Sequence, residues 1–198
     1  MSRIALLAAV AAPFLILAPA AVAEDFVIDP IHSSVIFKIG HAGASEFIGR
    51  FNQISGELKF DEKNLKECRI QATVKAASVD TNNENRDKHV RAEDFLHAES
   101  HPDIVFEATG FEKGKGKDTY TVKGKLSLRG VTKDLEVTAR KIGAGEYPAG
   151  MKRVGFSCTF SIQRSDFGLP FPTETVGNAV EITVTISATL PGKEEKKE

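Results

Sequence analysis

The sequence predicts an all-β domain, and three observations carry that expectation. Val180 to Leu190 alternates strictly: Val180, Ile182, Val184, Ile186, Ala188 and Leu190 face one way, and Glu181, Thr183, Thr185, Ser187 and Thr189 the other. That is the period of a half-buried antiparallel strand. Other stretches repeat the period, and short turn signals separate them.

In chain order, Ser33 to Ile39 reads as the first strand. Gly49 to Phe60 reads as the second, bent at Ser55-Gly56, since an interior Gly often marks a bulge. Cys68, Ile70, Ala72 and Val74 give a third inward face. Asn82 to Phe95 breaks the pattern. It is rich in helix formers, with Asn82 or Asn83 as N-cap, and predicts one or two short helices over one end, stopped by His101-Pro102. Ile104 to Phe111 is the fourth strand, and Lys113 to Asp118 a hairpin loop. Tyr120, Val122, Gly124, Leu126 and Leu128 form the fifth face, and Arg129 to Lys133 a tighter turn. Leu135, Val137 and Ala139 mark the sixth strand, and Gly143 to Gly150 a longer loop. Val154, Phe156, Cys158, Phe160 and Ile162 face inward from the seventh, and Val180 to Leu190 is the eighth. About eight hairpin-linked strands suit a sandwich or a closed barrel.

The termini read differently. Arg3, the apolar run Ile4 to Ala18 and the small residues Ala21-Val22-Ala23 have the form of a signal peptide cleaved after Ala23. Residues 24–190 are then a single domain, and 191–198 a charged, disordered tail. The expected location is the periplasm.

Composition narrows the function. A formal net charge of −1 is too balanced for a strongly basic nucleic-acid binder. There are thirteen Phe, two Tyr and no Trp, and only Phe14 falls in the leader. Phe carries no polar handle, so these rings belong in an apolar interior. Phe37, Phe51, Phe106, Phe156 and Phe160 lie on strands; an eight-stranded barrel uses such residues either to fill a core or to line a lumen. Cys68 and Cys158 both fall on inward phases, as a disulfide across the core or as two buried thiols.

Catalytic signatures are sparse. His97 and His101 are spaced i, i+4, but the intervening Glu is misplaced for a zinc-protease motif and a third ligand is lacking. There is no G-x-S-x-G, dinucleotide fingerprint or P-loop. No catalytic residue, metal or cofactor is assigned. Two polar clusters stand out, Arg86-Asp87-Lys88-His89-Val90-Arg91 and Gln163-Arg164-Ser165-Asp166. Each fixes a helix or loop at a barrel rim, or receives a polar head group, for which Arg is suited.

An ordered set of motifs then resembles the YceI family of secreted bacterial proteins. It comprises Asp29-Pro30-Ile31-His32-Ser33, Gly49-Arg50-Phe51, Asp80-Thr81, Asn85 to Arg91 with Asp94-Phe95, Pro102, Phe106, Gly124 to Thr132, and Arg164 to Gly168. The resemblance implies an eight-stranded antiparallel lipocalin-like barrel that binds a long-chain isoprenoid lipid or quinone inside. It makes Phe37, Phe51, Phe106, Leu126, Phe156 and Phe160 the expected lumen lining. Arg86, Asp87, His89, Arg91 and Arg164 are the expected head-group or rim residues. The expected protein is a carrier, a monomer or homodimer with transient membrane contact. The alternatives are an enzyme acting on a lipid head group through Arg86, Asp87, His89 and Arg164, and a structural barrel without ligand.

Overall fold

A computed structural model describes residues 23–148, 150–169 and 172–190. The expected leader and the 191–198 tail lie outside the described residues, apart from Ala23.

The period-two segments pair into one antiparallel sheet that closes on itself. Its strands are β1 (Glu24–Ile28), β2 (Ser34–His41), β3 (Ser45–Phe51), β4 (Ile54–Phe60), β5 (Arg69–Lys75), β6 (Val79–Asp80), β7 (Asp103–Lys113), β8 (Thr119–Leu128), β9 (Val131–Glu146), β10 (Lys152–Gln163) and β11 (Val176–Thr189). Among the described residues one α-helix, α1 (Glu84–Arg91), interrupts them, besides three short 3-10 turns. At one end the ring runs β1-β4-β5-β7-β8-β9-β10-β11 and closes through Val27↔Thr189 and Ile28↔Ala188. At the other end β2, β3 and β6 take the places of β1, β4 and β5. The barrel is therefore eight-stranded, with its first three strands each broken in two.

Each break is patched by hydrogen bonds, as a chain leaving a ladder requires. Between β1 and β2, Asp29 Oδ1 accepts the Ile31 N–H, and Ser33 Oγ accepts the Ser187 N–H. Between β3 and β4, the Asn52 N–H reaches the Ser78 carbonyl and the Gln53 N–H reaches Ser78 Oγ. The bend expected at Ser55-Gly56 thus falls earlier, at Asn52-Gln53. Gly56 stays in register opposite Ala72. It has φ +144°, and a Cβ there would lie 2.0 Å from the Gln71 carbonyl oxygen, so only Gly permits this approach of β4 to β5.

Three other boundaries differ from expectation. The loop placed at Gly143–Gly150 shrinks to residues 147–151, because β9 continues to Glu146 along β10. β1, whose short length hides its period, pairs with β4 along Glu24–Val27. The helix ends at Arg91, where Ala92 turns extended, and Asn83 is its N-cap, accepting the Arg86 N–H at 3.0 Å. The tight β8–β9 turn has Arg129 and Gly130 at φ +51° and +75°, the two left-handed residues of a type I′ hairpin.

The cysteines are free thiols, which corrects the possible Cys68–Cys158 disulfide. They sit by β5 and on β10, four places apart in a ring of eight. Strands about 4.8 Å apart make such a ring more than about 12 Å wide, beyond the ~7 Å Cα limit of a disulfide. The Cys68 thiol instead donates to the Asp61 carbonyl at 3.4 Å. Burial pushes Cys158 up to about 11, keeping it protonated.

Candidate functional site

Because alternate residues of every strand point inward and most are Val, Ile, Leu or Phe, the barrel axis is apolar. It is not filled. A cavity of about 240 Å³ runs along it, and Phe37, Phe51, Phe106, Leu126, Phe156 and Phe160 all line it. Among its many lining residues, only Tyr120, Ser157, Cys158 and Arg164 are of a type that carries a polar side-chain atom.

One end of the cavity stops at three interlocked rings. Phe60 meets Phe156 edge-on at 5.0 Å and Tyr120 at 5.4 Å, and Tyr120 meets Phe156 at 6.2 Å. Edge-to-face packing fits the ring quadrupoles and leaves little void. Tyr120 is 1% exposed. A polar bracket holds this floor: Lys141 and Lys113 donate to Glu62 at 2.6 and 3.1 Å, and Lys113 also donates to the Tyr120 hydroxyl at 3.2 Å. Lys113 lies over the Tyr120 ring and Lys141 over Phe60. Hydrogen bonds from Lys141, Lys113 and Tyr120 pull the Glu62 carboxyl down from 4.5 to about 2. Burial raises Tyr120, so its phenol stays neutral.

The other end is covered by α1 and two irregular segments. Val90, Phe95 and Leu96 close it from one side, and Arg164 and Leu169 from the other. The Asn83-capped helix is anchored by a compact triangle. The buried Asp87 accepts from the Thr81 N–H and hydroxyl at 2.7 and 2.6 Å, while Arg86 donates to Thr81 Oγ1 at 2.8 Å and to the Thr81 carbonyl at 2.5 Å. Arg91 donates to the Asp87 carbonyl, and His89 meets Asp94 at 2.6 Å. Arg86 also lies 4.7 Å over the Phe47 ring. Arg129, aimed by its left-handed turn, donates to the Gly168 carbonyl at 2.7 Å and the Glu93 carbonyl at 2.9 Å, clasping both segments.

Arg86, Asp87, His89 and Arg91 therefore brace the cover, and none of the four lines the cavity. Arg164 does line it. Only 3% exposed, it donates to the Gly177 carbonyl at 2.8 Å and the Val176 carbonyl at 2.6 Å, and burial lowers its pKa.

The Glu62–Lys113–Lys141–Tyr120 bracket and the Arg129 clasp were not legible from sequence. Their members are far apart along the chain, although the Lys113↔Tyr120 cross-strand pair flanking one hairpin was a partial signal. His97 and His101 meet edge to face at 5.4 Å, and His97 Nε2 pairs with Ser100. Among the described residues no group of three His, Cys, Asp or Glu converges to hold a metal. No helix among them is long and apolar enough to cross a membrane.

Known proteins share this architecture. A family model described as YceI-like domain matches residues 26–188. An Azotobacter vinelandii relative described as a UPF0312 protein is 39% identical over 168 residues, 84% of this chain and 87% of the relative. Burkholderia cenocepacia BcnA superposes with a TM-score of 0.73 at 22% identity, covering 81% of this chain and 98% of BcnA. A Saccharophagus degradans structure described as a polyisoprenoid binding domain gives a TM-score of 0.64 at 15% identity, over 84% and 98% of the two chains.

Proposed function

The chain belongs to the YceI-like domain family, and from that premise we propose that it is a lipid-binding barrel: a periplasmic carrier that holds a long-chain isoprenoid lipid or quinone without transforming it. The observation that carries this reading is the axial apolar cavity. A barrel serving only as structure would pack its interior to near crystal density. The name of the Saccharophagus neighbour points the same way.

The energetics suit carriage. Moving each CH₂ from water into the lumen gains about 0.8 kcal/mol. A lipid that starts in a membrane instead exchanges one apolar surrounding for another, so loading and release are both feasible. The polar head belongs at the covered end, near Arg164, because desolvating it against the aromatic floor would cost several kcal/mol without a partner. Membrane contact during loading is transient, and the carrier works as a monomer or homodimer.

The test is organic extraction of protein purified from the periplasm, followed by mass spectrometry. A co-purifying isoprenoid of unchanged mass is the expected result. Protein that carries no lipid and takes up no hydrophobic chain overturns the reading. A chemically altered lipid, lost on His89→Ala, would favour the enzyme alternative.

A further inference from the structure

The lumen wall carries a slot built around one glycine. On β3, Phe47, Gly49 and Phe51 share the inward face, and Gly49 pairs directly with Phe37 of β2. The Phe37 ring lies over Gly49: a Cβ at that position would stand 2.3 Å from Phe37 Cζ, 2.7 Å from Cε1 and 3.0 Å from Cε2. These are the three nearest atoms, so the Phe37 ring is the first group that must move if the position gains a side chain. Its flanks are occupied. Phe47 meets it edge-on at 6.4 Å and Phe51 at 5.6 Å, and Arg86 backs the Phe47 ring. The open direction is the lumen.

We propose that Gly49 sets the bore of the cavity, by holding the Phe37 ring against the wall, and thereby admits a methyl-branched chain rather than only a straight one. The inference rests on the lipid-binding reading. A straight alkyl chain threads a narrow bore, whereas a branched chain needs extra width at each methyl. A ring displaced by even one methyl group overpacks such a lumen. Gly124 offers a second seat, with a Cβ there 2.9 Å from Phe106 Cζ, but the same Cβ would strike the Glu107 carbonyl oxygen at 2.3 Å. Gly49 is thus the position where bore can be altered with least disturbance of the strand.

The test measures uptake of two probes by delipidated protein: geranylgeraniol, and n-hexadecanol, which has the same main-chain length but neither the methyl branches nor the double bonds. Gly49→Ala is expected to weaken geranylgeraniol binding about tenfold and hexadecanol binding much less. Adding Phe37→Leu to Gly49→Ala is expected to restore the branched probe. Phe37→Trp, which leaves the Gly49 backbone untouched, is expected to weaken the branched probe in the same selective way even if Gly49→Ala does not fold. A folded Gly49→Ala or Phe37→Trp protein with an unchanged ratio between probes overturns the proposal. Wild-type protein that takes up neither probe removes the lipid-binding reading itself, and this inference with it.

Discussion

The two ends of the barrel are closed by different physics. The floor is made of rings on β4, β8 and β10, strands of the closed sheet, and the Glu62–Lys113–Lys141 bracket ties the surrounding strands together. Opening it would break the sheet. The cover is made of α1 and irregular chain, held by side chains reaching backbone carbonyls, with the Arg129 clasp spanning both segments. The cover can therefore lift while the ladders stay intact, and local opening of this kind costs less than global unfolding. The comparison teaches that one end is an anchor built into the sheet and the other a separable cover.

The strongest way to break this contrast is at the floor. Tyr120→Ala deletes the central ring of the plug and should destabilise the whole protein by about 4 kcal/mol, read from urea unfolding. A loss under about 1 kcal/mol would mean that the rings do not anchor that end. Arg129→Ala attacks the cover instead. Losing two charge-assisted hydrogen bonds should cost about 2 kcal/mol, seen as faster amide exchange in residues 92–98 and 164–169. Uniform acceleration across the strands would contradict a separable cover.

A pH series sharpens the floor further. Glu62 titrates at about 2 in the folded protein against an ordinary 4.5. Its contribution to stability is complete above pH 4.5 and is lost as pH falls towards 2. The carboxylate is partly exposed, so solvent screening keeps this below about 1 kcal/mol. Asp29 titrates in an overlapping window. Partial burial opposes its ionisation, but hydrogen bonds from His32, Arg153 and the Ile31 N–H outweigh it and lower it from 3.8 to about 2. The signature of Glu62 is therefore the part of the acid-limb slope that disappears in Glu62→Gln. The smallest effect belongs to the cover's exposed rim: His89→Ala removes the contact to Asp94 and should change stability by less than about 1 kcal/mol, leaving extracted lipid unchanged in mass and amount.

Much of this contrast was hidden from the sequence, for a physical reason. Phe37, Phe51, Phe106, Leu126, Phe156 and Phe160 are legible as wall residues because strand period assigns each a face from its immediate neighbours. Arg86 and Asp87 are legible as a cluster, but their role is not: whether such a cluster binds a ligand or braces a helix depends on Thr81, which the fold brings beneath them. The breaks in the first three strands were equally obscure. Patches such as Asn52 on Ser78 form only once distant strands are side by side.

Alternation by itself determined the all-β class, the inward faces and their Phe-rich apolar character, since side-chain direction along a strand is a local property. The order of motifs pointed to the family. Only the tertiary structure decided that the interior is a cavity rather than a filled core, that the two thiols stay apart, and that one end is plugged while the other is clasped. Those outcomes depend on distances across the ring, where chain segments far apart in sequence meet and no local pattern records the gap between them.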